Sequence, residues 1–150
     1  MADYYPPVSF HFRVNFTGLS EKQHDIKFQS VGGLNVEFDT ESIKEGGVNN
    51  FEHVLPGRTK YPDLVLKRGV IPPGNSAVTD WLLEAVQNFN VQPIDLQVVL
   101  LNEMHEPLMF WKIIHAWPKS WKMADLNAEK GEVFIETIQL NYNRFEFKVP

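Results

Sequence analysis

The residues able to carry chemistry are few and scattered. The five histidines (His11, His24, His53, His105 and His115) make no HExxH pair. His105 lies beside Glu106 in a turn and reads as a surface residue. No GxSxG, P-loop or GxGxxG is present, and Gly32-Gly33 and Gly46-Gly47 are isolated pairs that suit turns or close backbone approach. The absence of cysteine excludes disulfides, thiolate metal sites and a cysteine nucleophile. Acid–base work by carboxylates needs a pair held in a cleft. Glu37, Asp39 and Glu41 instead alternate along one strand and share a face, as on a solvated sheet. Lys67-Arg68 is too short for a phosphate patch, and pairing with an acid such as Glu45 is the simpler role. Of the tryptophans, Trp111 lies mid-strand and reads as core. Trp117 and Trp121 suit a seam between subunits, where aromatic anchors are common, or a platform for a sugar or peptide. These residues predict no enzyme, no cofactor and no metal.

The elements that hold them are mostly strands. Phe10, Phe12, Val14 and Phe16 alternate with His11, Arg13 and Asn15, the pattern of a half-buried strand. Residues 26–31 read as a second strand. Leu34, Val36 and Phe38 alternate again and are expected to face inward. After the strand at 64–67, Pro72-Pro73-Gly74 punctuates, and Asn75 or Ser76 can cap a helix over 77–88. Its stripe is Val78, Trp81, Leu82, Ala85, Val86 and Phe89. Residues 94–101 and 108–117 follow as strands, both apolar on their two faces, with Pro118 ending the second and 119–130 irregular. Residues 132–142 form a long strand, and 144–149 extend it or make a last edge. Seven or eight strands and one helix predict two packed antiparallel sheets, a sandwich or small barrel with one flanking helix.

At 150 residues the chain reads as one domain, 1–150. Its 43% hydrophobic and 22% charged residues are ordinary for a globular protein. The net charge of -5 argues against a nucleic-acid partner for the outer surface. The start, MADYYPPVSF, has neither the basic n-region nor the apolar h-region of a secretory signal, and no apolar run is long enough to span a membrane.

One stretch stands apart: EGGVNNFEHVLPGRTKYPDLVLKRG, from Glu45 to Gly69. Gly46-Gly47 and Asn49-Asn50 break regular structure, Leu55-Pro56-Gly57 reads as a turn, and a strand resumes only after Tyr61-Pro62. About twenty residues without a regular pattern are uncommon inside a compact domain unless functional or disordered. Val48, Phe51, Val54, Leu55 and Tyr61 make the stretch too apolar for a linker, so residues 44–62 read as an arm that docks on another subunit. The doubly apolar strands and open sheet edges point the same way. A monomer whose helix and 118–130 segment cover the second apolar face is the alternative.

The ordered set EGG-x-N, LPG-x-x-KYPDLVLKRG, the early FxFxVxF strand, FQSVGGLNVE, the tryptophan-bearing helix, LLNEMHEPLMFWKIIHAWPKSWK and DLNAEKGEVFIETIQLNYNRF resembles the tube proteins of contractile phage tails and extracellular contractile injection systems. The resemblance covers nearly the whole chain. Val31-Gly32-Gly33-Leu34 departs mildly from the more usual V-S-G-L. The resemblance implies a homo-hexameric ring whose inner strands join into a β-barrel around a lumen. Rings stack into a tube inside a sheath, with baseplate and tube-terminator proteins at its ends. An effector or nucleic acid is a possible lumen cargo, and the chain itself does not insert into membrane. Assembly would occur in the bacterial cytoplasm, within a phage tail or an extracellular or membrane-anchored particle. Carried over by position, the contact arm comprises Glu45, Gly46, Gly47, Asn49, Phe51, Leu55, Pro56, Gly57 and Tyr61, while Glu37, Asp39 and Glu41 are candidates to face the lumen. A tube-initiating ring on the baseplate shares the pattern. A soluble β-sandwich binding module is the reading from another class.

Overall fold

The computed structural model describes residues 11–19, 25, 27–43, 53–129, 131 and 133–150. They form nine strands and one helix: β1 (His11–Phe16), β2 (Ser30–Gly32), β3 (Glu37–Ile43), β4 (His53–Lys60), β5 (Leu64–Gly69), α1 (Ala77–Asn88), β6 (Ile94–Leu101), β7 (Pro107–Met123), β8 (Ile135–Asn141) and β9 (Arg144–Lys148). All pairings are antiparallel. Two sheets share β7. One runs β1-β6-β7-β9 and the other β7-β8-β5-β2, while β3 and β4 form a separate hairpin sheet. The described strands do not close into a barrel, so of the two architectures expected, the barrel is not formed within this chain.

The shared strand is longer than the sequence suggests. Pro118 was expected to end it, yet β7 continues to Met123. The reason is local: the register shifts between Pro118 and Ser120, and among the described strands only β8 pairs this half of the strand. A bulge on a one-sided strand is where a residue without an N–H is tolerated. At His115 the strand turns a corner with φ +60°. The Asp95 carboxylate accepts the His115 N–H at 3.0 Å, and Ile114 O accepts the Asn143 N–H at 2.9 Å. Strands β8 and β9 follow β7 round that corner in one register, Trp117 opposite Asn141 and Ile114 opposite Arg144. The last segment therefore extends β8 along β7 and also forms an edge.

Val14, Leu64, Leu66, Leu82, Leu96, Val98, Ile113, Ile138 and Leu140 fill the core, each at 2% exposure or less. Val99 and Leu101 are buried too, so part of the second apolar face of β6 is covered within the chain. Helix α1 starts at Ser76, whose Oγ accepts the Thr79 N–H at 3.1 Å. It buries Val78, Trp81 and Leu82, but Val86 is exposed and Phe89 is 90% exposed in a left-handed C-cap. The stripe thus ends a turn earlier than its spacing implied, because the chain leaves the helix at Phe89 before that side chain can reach the core. The strand expected at 26–31 is short, limited to Ser30–Gly32, with Phe28 in the core beside Phe16.

Gly33 adopts φ +90°, and a Cβ there would lie 2.1 Å from the Asp63 carbonyl oxygen. Only glycine fits such an approach. It lets the chain cross against the start of β5 just before it leaves the body as β3.

Candidate assembly interface

Strand β3 leaves the body and β4 returns, and among the described strands each pairs only with the other. Glu37 stands opposite Lys60, Phe38 opposite Thr59, Thr40 opposite Pro56, Glu41 opposite Leu55, Ser42 opposite Val54 and Ile43 opposite His53. The register shifts between Phe38 and Thr40, so Gly57 and Arg58 together face Asp39. A Cβ on Gly57 would come within 3.1 Å of Asp39 O, and the missing side chain lets the bulge close. Leu55-Pro56-Gly57, expected as a turn within an unpatterned arm, is therefore strand with a bulge. The turn-like composition reflects the bulge and the edge position, where proline is permitted.

The hairpin exposes what a folded chain normally hides. Phe38 is 63% and Val54 61% exposed, and Val36, Ile43 and Leu55 are also exposed. The expectation that Val36 and Phe38 face inward fails because β3 stands away from the two main sheets; Leu34, before it, is partly buried against the core. A two-stranded hairpin is at best marginally stable in water. Fully burying an apolar side chain of this size contributes about 1.5–3 kcal/mol, so Phe38 and Val54 leave on the order of 1 kcal/mol each to a partner.

The two faces of the hairpin differ. Phe38, Thr40, Ser42, Val54, Pro56 and Thr59 share one; Glu37, Asp39, Glu41, Ile43, Leu55, His53 and Lys60 share the other. Lys60 Nζ lies 2.5 Å from Asp39 Oδ1, and this contact, aided by Glu37, holds the Lys60 ammonium above its ordinary pKa. Of the arm residues named from the sequence, Leu55, Pro56 and Gly57 lie in β4. Tyr61 is instead half-buried at the root of the hairpin, its ring 5.0 Å from Phe145 and 5.8 Å from Tyr142. It anchors the arm to the body. Glu45, Gly46, Gly47, Asn49 and Phe51 lie outside the described residues.

A charged cluster that sequence reasoning missed fixes the body beneath. Arg68 is 2% exposed. Its Nε donates to Glu136 Oε1 at 2.6 Å, Nη1 to Asp25 Oδ1 at 3.1 Å, and Nη2 to Ser76 Oγ at 2.9 Å and Thr79 Oγ1 at 3.0 Å. The guanidinium also lies 5.1 Å from the Phe28 ring centroid. Asp25 Oδ2 accepts the Ala77 N–H at 2.8 Å, so a carboxylate sits at the positive end of α1. Ser76 donates to Asp25 in turn. Glu136 Oε2 accepts the Trp121 indole N–H at 2.8 Å, so Trp121 is tied inward rather than presented at a seam. Asp25 and Glu136 are the acidic partners of Arg68 among the described residues; Glu45, which the sequence suggested, lies outside them. The only signal was a basic residue at an inward position between Leu66 and Val70. No buried side-chain nitrogen or oxygen among the described residues lacks a partner.

A second cluster lies on the opposite face of the same sheet. Asp63 accepts from Lys119 Nζ at 2.8 Å, Gln139 Nε2 at 2.9 Å and Asn141 Nδ2 at 3.3 Å. Lys119 above all, with the two amides, holds the Asp63 carboxyl below the ordinary carboxylate value. Burial pushes the Tyr142 phenol up to about 12. The four described histidines do not converge on one site: His11 and His105 stack at 4.9 Å at the end of β1, while His53 and His115 lie elsewhere. Among the described residues no group of three or more His, Cys, Asp or Glu is placed to hold a metal, and no helix is long and apolar enough to cross a membrane.

What this arrangement offers is a surface for another protein chain: an apolar hairpin and open strand edges. A chain in the cryo-EM structure of the anti-feeding prophage (AFP) baseplate is 28% identical, with a TM-score of 0.80 over 98% of this chain and 97% of that one. A chain of the PVC extracellular contractile injection system sheath-tube complex in the extended state is 26% identical, with a TM-score of 0.78 over 97% and 93%. One from the PVC sheath/tube terminator is 28% identical, with a TM-score of 0.80 over 99% and 100%. Comparison with curated protein sequences returns no match. The model of the T4-like virus tail tube protein gp19 family matches residues 8–146. The chain, with its two sheets on a shared bent strand and its projecting hairpin, belongs to the T4-like virus tail tube protein gp19 family.

Proposed function

We propose that this protein is a single-domain structural subunit of the inner tube of a contractile injection system or phage tail. Copies form hexameric rings, the rings stack around a lumen, and a sheath surrounds the tube. The hairpin is the inter-subunit arm. The observation that carries this reading is its exposed apolar surface, Phe38 and Val54 above all, on an element that pairs with no other strand among the described residues. Among the described strands the edges of β1 and β9 are unpaired, and such edges template pairing with other chains. Membership of a structural tail tube family supports a non-enzymatic role within an injection particle. Sedimentation velocity across a concentration series tests the reading. The 17.3 kDa chain is expected to give six-fold and larger masses as concentration rises, and a constant monomer mass would count against it.

A second reading is the tube-initiating ring at the baseplate. It rests on the match to a chain of the AFP baseplate structure at 28% identity, a value shared by the match in the PVC sheath/tube terminator. The two separate by length of polymer: an initiator stops at one ring or a short stack, whereas a repeated subunit grows.

A further inference from the structure

Two imidazoles from separate elements meet at the surface, where neither serves the core. His11 opens β1 opposite Leu101, the last residue of β6, and His105 belongs to the turn that joins β6 to β7. Their ring centroids lie 4.9 Å apart, with the planes inclined by 25°. Both residues are exposed. Among the described residues, no hydrogen bond or ion pair occupies a ring nitrogen of either. Four ring nitrogens therefore sit together, open to solvent.

The backbone holds the two in place. Asn102 Oδ1 accepts the N–H groups of Met104 and Glu106, both at 2.9 Å. Asn102 O accepts the His105 N–H at 3.0 Å, and Glu106 O accepts the Asn102 N–H at 2.9 Å. His105 itself stands at φ +61°, a left-handed backbone that disfavours a side chain. The register with β6 fixes His11. Groups ordered in advance lose little freedom when they close on a common partner.

Imidazole nitrogen suits Cu²⁺, Ni²⁺ and Zn²⁺, whereas Ca²⁺ and Mg²⁺ take oxygen. With metal–nitrogen distances of about 2.0–2.1 Å, two imidazoles in adjacent positions on one ion have centroids about 5 Å apart. The rings already stand at that separation. Rotation about the soft terminal torsion of each exposed side chain turns one nitrogen of each ring to the ion. Among the described residues no third His, Cys, Asp or Glu is grouped with them to hold a metal, so water completes the coordination. Arg13 follows His11 on the same face of β1, and Glu103 and Glu106 in the turn set two carboxylates against its charge.

We infer that His11 and His105 form a two-imidazole site for a divalent transition-metal ion, Cu²⁺ being held most tightly by the usual order of affinities. A bound ion ties the β6–β7 turn to the start of β1. Both ligands lie in one chain, so the ion needs no second copy.

Calorimetric titration of the untagged chain with Cu²⁺ in a non-coordinating buffer tests it, with electron paramagnetic resonance of the complex to count the ligating nitrogens. One ion per chain is expected, coupled to two imidazole nitrogens. His11→Ala and His105→Asn are each expected to weaken binding by about tenfold or more, because the remaining imidazole binds alone. Asparagine tolerates the left-handed backbone at 105, so that variant keeps the turn. His115→Asn, a change at a distant histidine, is expected to leave binding unaltered. An excess of Cu²⁺ is expected to raise the melting temperature of the parent chain and not that of the double variant His11→Ala, His105→Asn. Unaltered binding in both single variants, or coupling to one nitrogen only, would overturn the site and leave the pair a ring stack alone. An equal loss on His115→Asn would place the ion elsewhere and overturn it likewise.

Discussion

Arg68 and Glu136 meet at 2.6 Å across β5 and β8, the arginine 2% exposed and the glutamate 0%. This buried pair, with Asp25, joins the second sheet to the N-terminus of α1 and to β7 through Trp121. Removing one member of a buried pair strands the other charge. Arg68→Met is expected to destabilise the chain by about 3–5 kcal/mol, measured by urea denaturation, whereas Arg68→Met with Glu136→Leu and Asp25→Asn together costs less than the single change. A single-variant loss below about 1 kcal/mol would show that the network does not act as a unit.

Gly33 and Gly18 offer a matched comparison. Both have φ near +90°, but a Cβ at Gly33 meets Asp63 O at 2.1 Å while one at Gly18 meets nothing within 4 Å. Gly18→Ala is expected to cost about 1 kcal/mol from backbone strain alone. Gly33→Ala adds the clash and is expected to cost about 3 kcal/mol or more. Equal losses would mean that the close approach to β5 is not rigid.

The pH limits of stability follow from two groups. The Asp63 pKa is depressed in the fold by Lys119 and two amides. Its contribution is present above the unfolded value near 3.9 and is lost as pH falls through the lower folded value. Tyr142 is raised to about 12 by burial, so its contribution is full below about pH 10 and is lost as pH rises toward 12. Melting curves against pH should show Asp63→Asn flattening the acid limb and Tyr142→Phe the alkaline limb. Unchanged limbs would remove these groups from the account.

Separating fold from assembly requires changes on the hairpin alone. Phe38→Ser with Val54→Ser removes exposed apolar surface at positions without core contact. Intrinsic stability is expected to stay within about 0.5 kcal/mol, while assembly in sedimentation is lost. A large drop in monomer stability would place the hairpin in the fold instead of at an interface.

The sequence made some of this legible and hid the rest for identifiable reasons. β1, β6 and α1 follow from alternation and a serine cap, because they are amphipathic elements facing one core. Of the hairpin, β3 showed in the alternation of Leu34, Val36 and Phe38, whereas β4 was invisible as strand because it buries no face of its own and carries no period-two pattern to read. Pro118 misled for the opposite reason: a breaker by type, it sits on a bulge where nothing is broken. Arg68 could not be paired by inspection, since its partners lie 43 and 68 residues away. The resemblance of the ordered motifs to tube proteins supplied the family, which the match over residues 8–146 shows.

The central claim is that this chain builds a hollow assembly through its hairpin. Negative-stain electron microscopy of the purified protein over a concentration series, beside the Phe38→Ser, Val54→Ser variant, tests it most directly. The account predicts rings or tubes with a central hole for the parent chain and separate small particles for the variant. Parent particles that stay monomeric at every concentration, or variant particles that form the same rings and tubes, would contradict it.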